Sequence, residues 1–149
     1  MNADTPLWYI SRPLHSDPRA KGMNLEKVIF AFFIILALTL NFGFFYGDIG
    51  NPDHHNIYEF FAVIVVNLVA TVLKLGDRTH LGAVLLATSL VALSQLIAGA
   101  IVWGIAEHVT MVGLTPHVMA SIVSLSAGAV LANVVSVVML VSDTLMGRR

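Results

Sequence analysis

The sequence predicts an all-α integral membrane protein: four transmembrane helices, both termini on the cytoplasmic side (N-in, C-in), and a homo-oligomeric bundle as the assembled form. Three observations carry that expectation. Four apolar runs divide the chain, at about 28–46, 57–75, 81–105 and 118–141. Each is near or above the ~18–20 residues that a helix rising ~1.5 Å per residue needs to cross ~30 Å of hydrocarbon. All eight Lys and Arg residues fall on one side of the membrane these runs define. Arg12, Arg19, Lys21 and Lys27 precede the first run, Lys74 and Arg78 separate the second from the third, and Arg148 and Arg149 follow the fourth. The loops at 47–56 and 106–117 hold neither Lys nor Arg, and basic residues stay with cytoplasmic loops. Finally, 57% of the 149 residues are hydrophobic and 11% charged, more apolar surface than a soluble domain of this size hides. Lipid removes that difficulty, because helices satisfy their backbone hydrogen bonds internally. The expected setting is a bacterial inner membrane.

Residues 1–24 read as a cytoplasmic N-terminal segment and 25–149 as the transmembrane domain. Pro6, Pro13 and Pro18 disfavour a long helix in the first segment, where Leu7, Trp8, Tyr9 and Ile10 form an aromatic island suited to the membrane interface. Asn24 can cap the first helix, with Glu26 in its first turn. That helix is rich in Phe and carries one polar residue, Asn41, near its outer end. The second opens with Asn56 and Glu59 at the spacing of a capping box. A short turn, Gly76-Asp77-Arg78-Thr79, makes helices two and three antiparallel neighbours. Thr115-Pro116 supplies a cap and a Pro at the first position of helix four. On that helix Ala120, Ser124, Gly128, Ala132 and Ser136 are small and spaced by four. Such a line lets another backbone approach closely, within the chain or across a homo-oligomer seam.

Polar groups inside hydrocarbon are costly and therefore informative. Asn67, Thr71 and Lys74 share one face of helix two, Gln95 sits near the middle of helix three, and Asn133 lies in the inner half of helix four. They predict either interhelical hydrogen bonding, with Lys74 snorkelling to the inner surface, or a polar track for an ion. The outer loops gather Asp48, Asp53, Glu59 and Glu107, a mouth whose carboxylates concentrate cations when no cation neutralises them. His54, His55, His108 and His117 stand beside them as weak candidates for a metal or for pH sensing. No pair among these has helical ligand spacing. The chain has no cysteine, which excludes disulfides and thiolate chemistry, and no nucleophile–base pair or phosphate loop is present. No cofactor, no enzyme activity and no nucleic-acid partner are expected. The partners expected are the lipid bilayer, further copies of the chain, and a membrane or cytoplasmic protein.

Tyr58-Glu59-Phe60-Phe61, then 70–77 (Ala-Thr-Val-Leu-Lys-Leu-Gly-Asp), then His80-Leu81-Gly82 resemble the pore helix, filter and inner helix of the potassium-channel pore-loop superfamily. The resemblance covers about residues 25–105, with Gly43-Phe44-Phe45-Tyr46 at the end of the outer helix. Thr71, Val72, Gly76 and Asp77 match the filter; Leu73 stands in place of its first glycine, Lys74 intrudes and one residue is inserted, so the filter is degenerate. The resemblance implies a cation pathway. The functional class expected is therefore a small channel-like or channel-associated subunit favouring cations, with a non-transporting scaffold or assembly subunit of a larger membrane complex as the alternative.

Topology is directly testable. Reporters fused after Arg149 and within 106–117 should read cytoplasm and periplasm respectively; an external C-terminus overturns the orientation.

Overall fold

The computed structural model describes residues 25–146, and within them there are helices and turns but no strand. Helix α1 spans Leu25–Phe45, α2 Ile57–Lys74, α3 His80–Gly104 and α4 Pro116–Met146. All are long and apolar enough to cross a membrane. The aromatic island, the Asn24 cap, and Arg12, Arg19, Lys21, Arg148 and Arg149 lie outside the described residues.

Local chemistry sets the helix ends. Asn56 caps α2 by accepting from the Tyr58 amide at 2.8 Å. Glu59 does not close a capping box; its carboxylate turns towards α1 and occupies the space a Cβ at Gly43 would need. Thr79 caps α3, its hydroxyl accepting from the Gly82 amide at 2.9 Å. Thr115 accepts from the Val118 amide at 3.3 Å and α4 begins at Pro116, where a missing N–H costs nothing. Beyond Gly104 the third helix widens into a π turn, Ile105–Val109, closed by Thr110 N to Ile105 O at 2.9 Å. At Gly47 φ is 151°, and a Cβ there would sit 3.1 Å from that of His54, so the reversal after α1 requires glycine.

What turns inward follows a repeat of three and four. The buried positions that keep this repeat are Phe30, Ile34, Ala37, Asn41 and Phe44 on α1, and Phe60, Val63, Asn67, Ala70 and Lys74 on α2, where Thr71 is buried beside them. On α3 they are Gly82, Leu85, Ser89, Ala92, Leu96, Gly99 and Trp103, with Leu93 also buried, and on α4 Met119, Ile122, Ser126, Ala129, Asn133 and Ser136, with Val123 also buried. This is heptad spacing, the seam geometry of left-handed bundles. Cross-helix contacts fix the register. Phe44 stacks near Phe60 and Lys74 lies over Phe30, so α1 and α2 run antiparallel with Ala37 opposite Asn67. Thr88 meets Ser136 and Gln95 meets Gly128, which brings Asn133 within two residues of Ala92.

The bundle is consequently layered. Phe44, Phe60, Trp103, Ile122 and Val123 fill the end that carries loops 47–56 and 106–115, called outer after the orientation expected from sequence, and Phe30, Ile34, Ala70 and Leu85 fill the opposite, inner end. Between these apolar blocks sits a central layer of Ala37, Asn67, Ala92 and Asn133, all fully buried. The small-residue line of α4 is offset from the buried seam. Ser136 is buried, Ala120, Gly128 and Ala132 are half-buried, and Ser124 is exposed, bonded to the Ala120 carbonyl at 2.7 Å. Within the chain the line is used at Gly128, where the Gln95 amide rests on its bare backbone, and at Ser136, which meets Thr88.

Adjacent residues of α3 test this layering. Leu96 is fully buried and Ile97 is 44% exposed. Leu96→Ala should cost about 2–5 kcal/mol in a denaturing-detergent titration, and Ile97→Ala well under ~1, because only the first leaves a cavity. Equal losses would put lipid where the seam is drawn.

Candidate functional site: a buried polar column between two charged ends

The inner end is built around a turned-in lysine. Lys74 closes α2 and is 3% exposed, so it does not snorkel. Its ammonium donates to Asp77 Oδ2 at 3.0 Å and stands 4.4 Å from the centre of the Phe30 ring. The reason is local. The α2–α3 turn folds Asp77 back under the lysine, and Asp77 is itself held by the Thr79 hydroxyl at 2.7 Å and the Thr79 amide at 3.0 Å. A counter-ion three residues away, together with an aromatic face, makes an inward lysine tolerable. The Thr79 side-chain bond, then its backbone bond, then the Lys74 bond lower the Asp77 carboxyl from 3.8 to about 2. A polar cavity of about 340 Å³ opens beside this pair, lined in part by Glu26, Lys27, Arg78 and Asp143. Lys27 and Asp143 bridge α1 to α4 at 3.1 Å, but both are well exposed and the pair contributes little.

From Lys74 a polar column runs along the bundle interior. The Thr71 hydroxyl donates to the Asn67 carbonyl at 2.8 Å, and Asn67 Nδ2 donates to the Val63 carbonyl at 2.9 Å. Thr88 and Ser136 share a hydrogen bond of 2.6 Å across α3 and α4. Further out, Ser126 donates to Asn41 Oδ1 at 2.6 Å, and Asn41 Nδ2 donates back to the Ser126 carbonyl at 3.3 Å. Among the described residues, Asn67 Oδ1, Ser89 Oγ, Gln95 Oε1 and both side-chain polar atoms of Asn133 are buried with no partner. Each such group costs about 1–3 kcal/mol. Of the track residues expected from sequence, Asn67, Thr71, Lys74 and Asn133 share the interior, and Gln95 stands half-buried towards Gly128. The residues matching a channel filter are helical as far as Lys74, and the Val72 and Lys74 carbonyls accept from the Leu75 and Asp77 amides. Those carbonyls are spent on closing the helix.

At the outer end Asp48, Asp53 and Glu107 are exposed and Glu59 is half-buried. The loop organises around His55, which is 4% exposed and places Nδ1 2.7 Å from the Phe44 carbonyl and Nε2 2.9 Å from the Asp48 carbonyl. His54 Nδ1 accepts from the Asp48 amide at 3.2 Å. His108 and His117 are exposed, and no three His, Asp or Glu residues converge on a metal position among the described residues. His55 therefore ties the loop to the end of α1. Its neighbours in sequence carry no signal for that role, nor do Ser89 and Ser126, whose significance comes from the register between helices.

The model of a protein family described as a family of unknown function (DUF6394) matches residues 54–144, from the outer loop through α2, α3 and most of α4. No curated protein and no solved structure matches the chain.

Removing the inner counter-ion should be costly. Asp77→Asn should lower stability by about 1–3 kcal/mol, below the cost for a fully enclosed pair because Asp77 still meets water. Lys74→Met in the same background should recover most of it. A carboxylate lowered on folding contributes above its ordinary titration, and the contribution is lost as pH falls through the folded value. Acid melts of the native chain should therefore decline between pH ~4 and ~2, and that decline should flatten in Asp77→Asn. A native chain with no such decline would show the Asp77 bonds to be absent in solution.

Proposed function

The chain belongs to the DUF6394 family, whose function is unknown, and from its own residues we propose that it is a small inner-membrane, channel-like or channel-associated subunit favouring cations, with both termini cytoplasmic and copies of the chain assembled into a homo-oligomer. The observation that carries this reading is the polar column: Lys74, Thr71, Asn67, Ser89, Asn133, Ser136, Ser126 and Asn41 are buried inside an apolar bundle, where polar groups are expensive and tied to function. The two ends support a direction. Three exposed carboxylates and Glu59 at one end draw cations, whereas the filter-like residues, being helical, lend the reading no support. At the other end the Lys74 ammonium stands in the column and repels a cation while it stays there. The described bundle is thus a shut form, and conduction requires the Lys74–Asp77 pair to part or a pathway to form between copies.

A second reading has its own observation. Ala87, Thr88, Val91, Gly128, Leu131, Ala132 and Val135 line a shallow apolar groove between α3 and α4. Small residues at a lipid-facing groove suit a docked helix, as a scaffold subunit requires.

Flux separates the two. In liposomes, the joint change Asp48→Asn and Asp53→Asn should lower cation flux most near 0.01 M salt, where the Debye length is about 30 Å, and little near 1 M, where it is about 3 Å. Flux that is equal at low salt removes the outer carboxylates from the pathway, and no flux from either protein favours the scaffold.

A further inference from the structure

We propose that the central layer is a water-binding site, with one water held between Asn67 Oδ1 and the Asn133 side-chain amide and within reach of Ser89 Oγ about one helical turn inward. The argument starts from the atoms left over. Asn67 spends its Nδ2 on the Val63 carbonyl and keeps Oδ1 free, Asn133 keeps both Nδ2 and Oδ1 free, and Ser89 keeps its hydroxyl free. All three residues are fully buried. They come from three different helices, and the register places the two amides at one height, with Ala37 and Ala92 at the other corners of the layer. The neighbouring polar layer behaves differently, since Asn41 and Ser126 satisfy each other directly.

The chemistry of the remaining groups selects the ligand. Two carbonyl oxygens need a donor, while an NH2 and a hydroxyl need an acceptor, so the occupant must both donate and accept. Water does both and is stably buried when it finds two to four polar partners. A cation satisfies the oxygens alone, leaves the Asn133 NH2 facing like charge, and has no carboxylate in the layer to offset it. The alanines at the other two corners, Ala37 and Ala92, offer no side-chain hydrogen-bond partner of their own. The site goes beyond the transport reading and stands whether or not the chain conducts.

The test is solution NMR of the full chain, labelled with 15N at asparagine side chains, in nanodiscs. The Asn133 side-chain NH2 should show a cross-peak to a long-lived water, and Ala92→Val or Ala37→Val, which push methyl groups into the layer, should abolish it without loss of helix content. Should neither variant fold, Asn133→Leu takes their place, read as loss of the water contact at the Asn67 side-chain amide. A native Asn133 NH2 that contacts Asn67 directly and never water overturns the proposal. So does a water contact that persists unchanged once the layer has been filled.

Discussion

Lipid is as apolar as leucine, so in this bundle hydrophobicity cannot decide which face of a helix turns inward. Packing and polar contact must decide it. Every other feature follows from that constraint. The heptad seams bring Phe44 against Phe60 and Gly99 against the Phe60 ring, contacts that depend on shape. Between them, the Asn41–Ser126 and Thr88–Ser136 bonds add direction, because a polar group in hydrocarbon is stabilised by a partner on another helix or on its own backbone. Register is thereby set by a few hydrogen bonds and aromatic stacks, and the apolar remainder accommodates it.

The same constraint explains what the sequence discloses and what it hides. Span positions were legible, because twenty apolar residues between charged or turn-forming loops admit one reading, and α2 begins at Ile57 as expected. The cap at Thr115 and the start at Pro116 were legible for a local reason: both are short-range backbone chemistry. The heptad was not, because residues facing lipid, such as Ile97 and Leu131, are as apolar as Leu96, and the periodicity vanishes into a uniform background. The line of small residues on α4 stood out in its place; it joins the seam at Ser136 and receives Gln95 at Gly128. Sequence left Lys74 open between snorkelling and the polar track, because its environment depends on Asp77, whose return beneath the lysine is a property of the turn. Glu59 had the spacing of a capping residue, but the open space above Gly43, invisible without α1 in place, took its carboxylate.

The two ends of the molecule differ in kind as well as in charge. At the inner end two ion pairs form, Lys74 with Asp77 and Lys27 with Asp143. At the outer end order comes from hydrogen bonds rather than ion pairs, through His55 beside the Phe44 and Asp48 carbonyls and through Asx-type turns at Asp48 and Asn51. Salt weakens the exposed Lys27–Asp143 bridge.

Helix length has a consequence of its own. At ~1.5 Å per residue, the 18 residues of α2 measure about 27 Å and the 31 residues of α4 about 46 Å. The first barely spans an average bilayer, and the second exceeds it. A thicker, sterol-like or longer-chain bilayer leaves α4 indifferent but submerges the ends of α2, the inner of which carries the only lysine in the seam. Mismatch with a thicker bilayer therefore falls first on α2 and next on α1, whose 21 residues measure about 32 Å, and mismatch of this kind sorts proteins among membranes. In this molecule the element loaded first is the one whose inner end holds the ammonium in place.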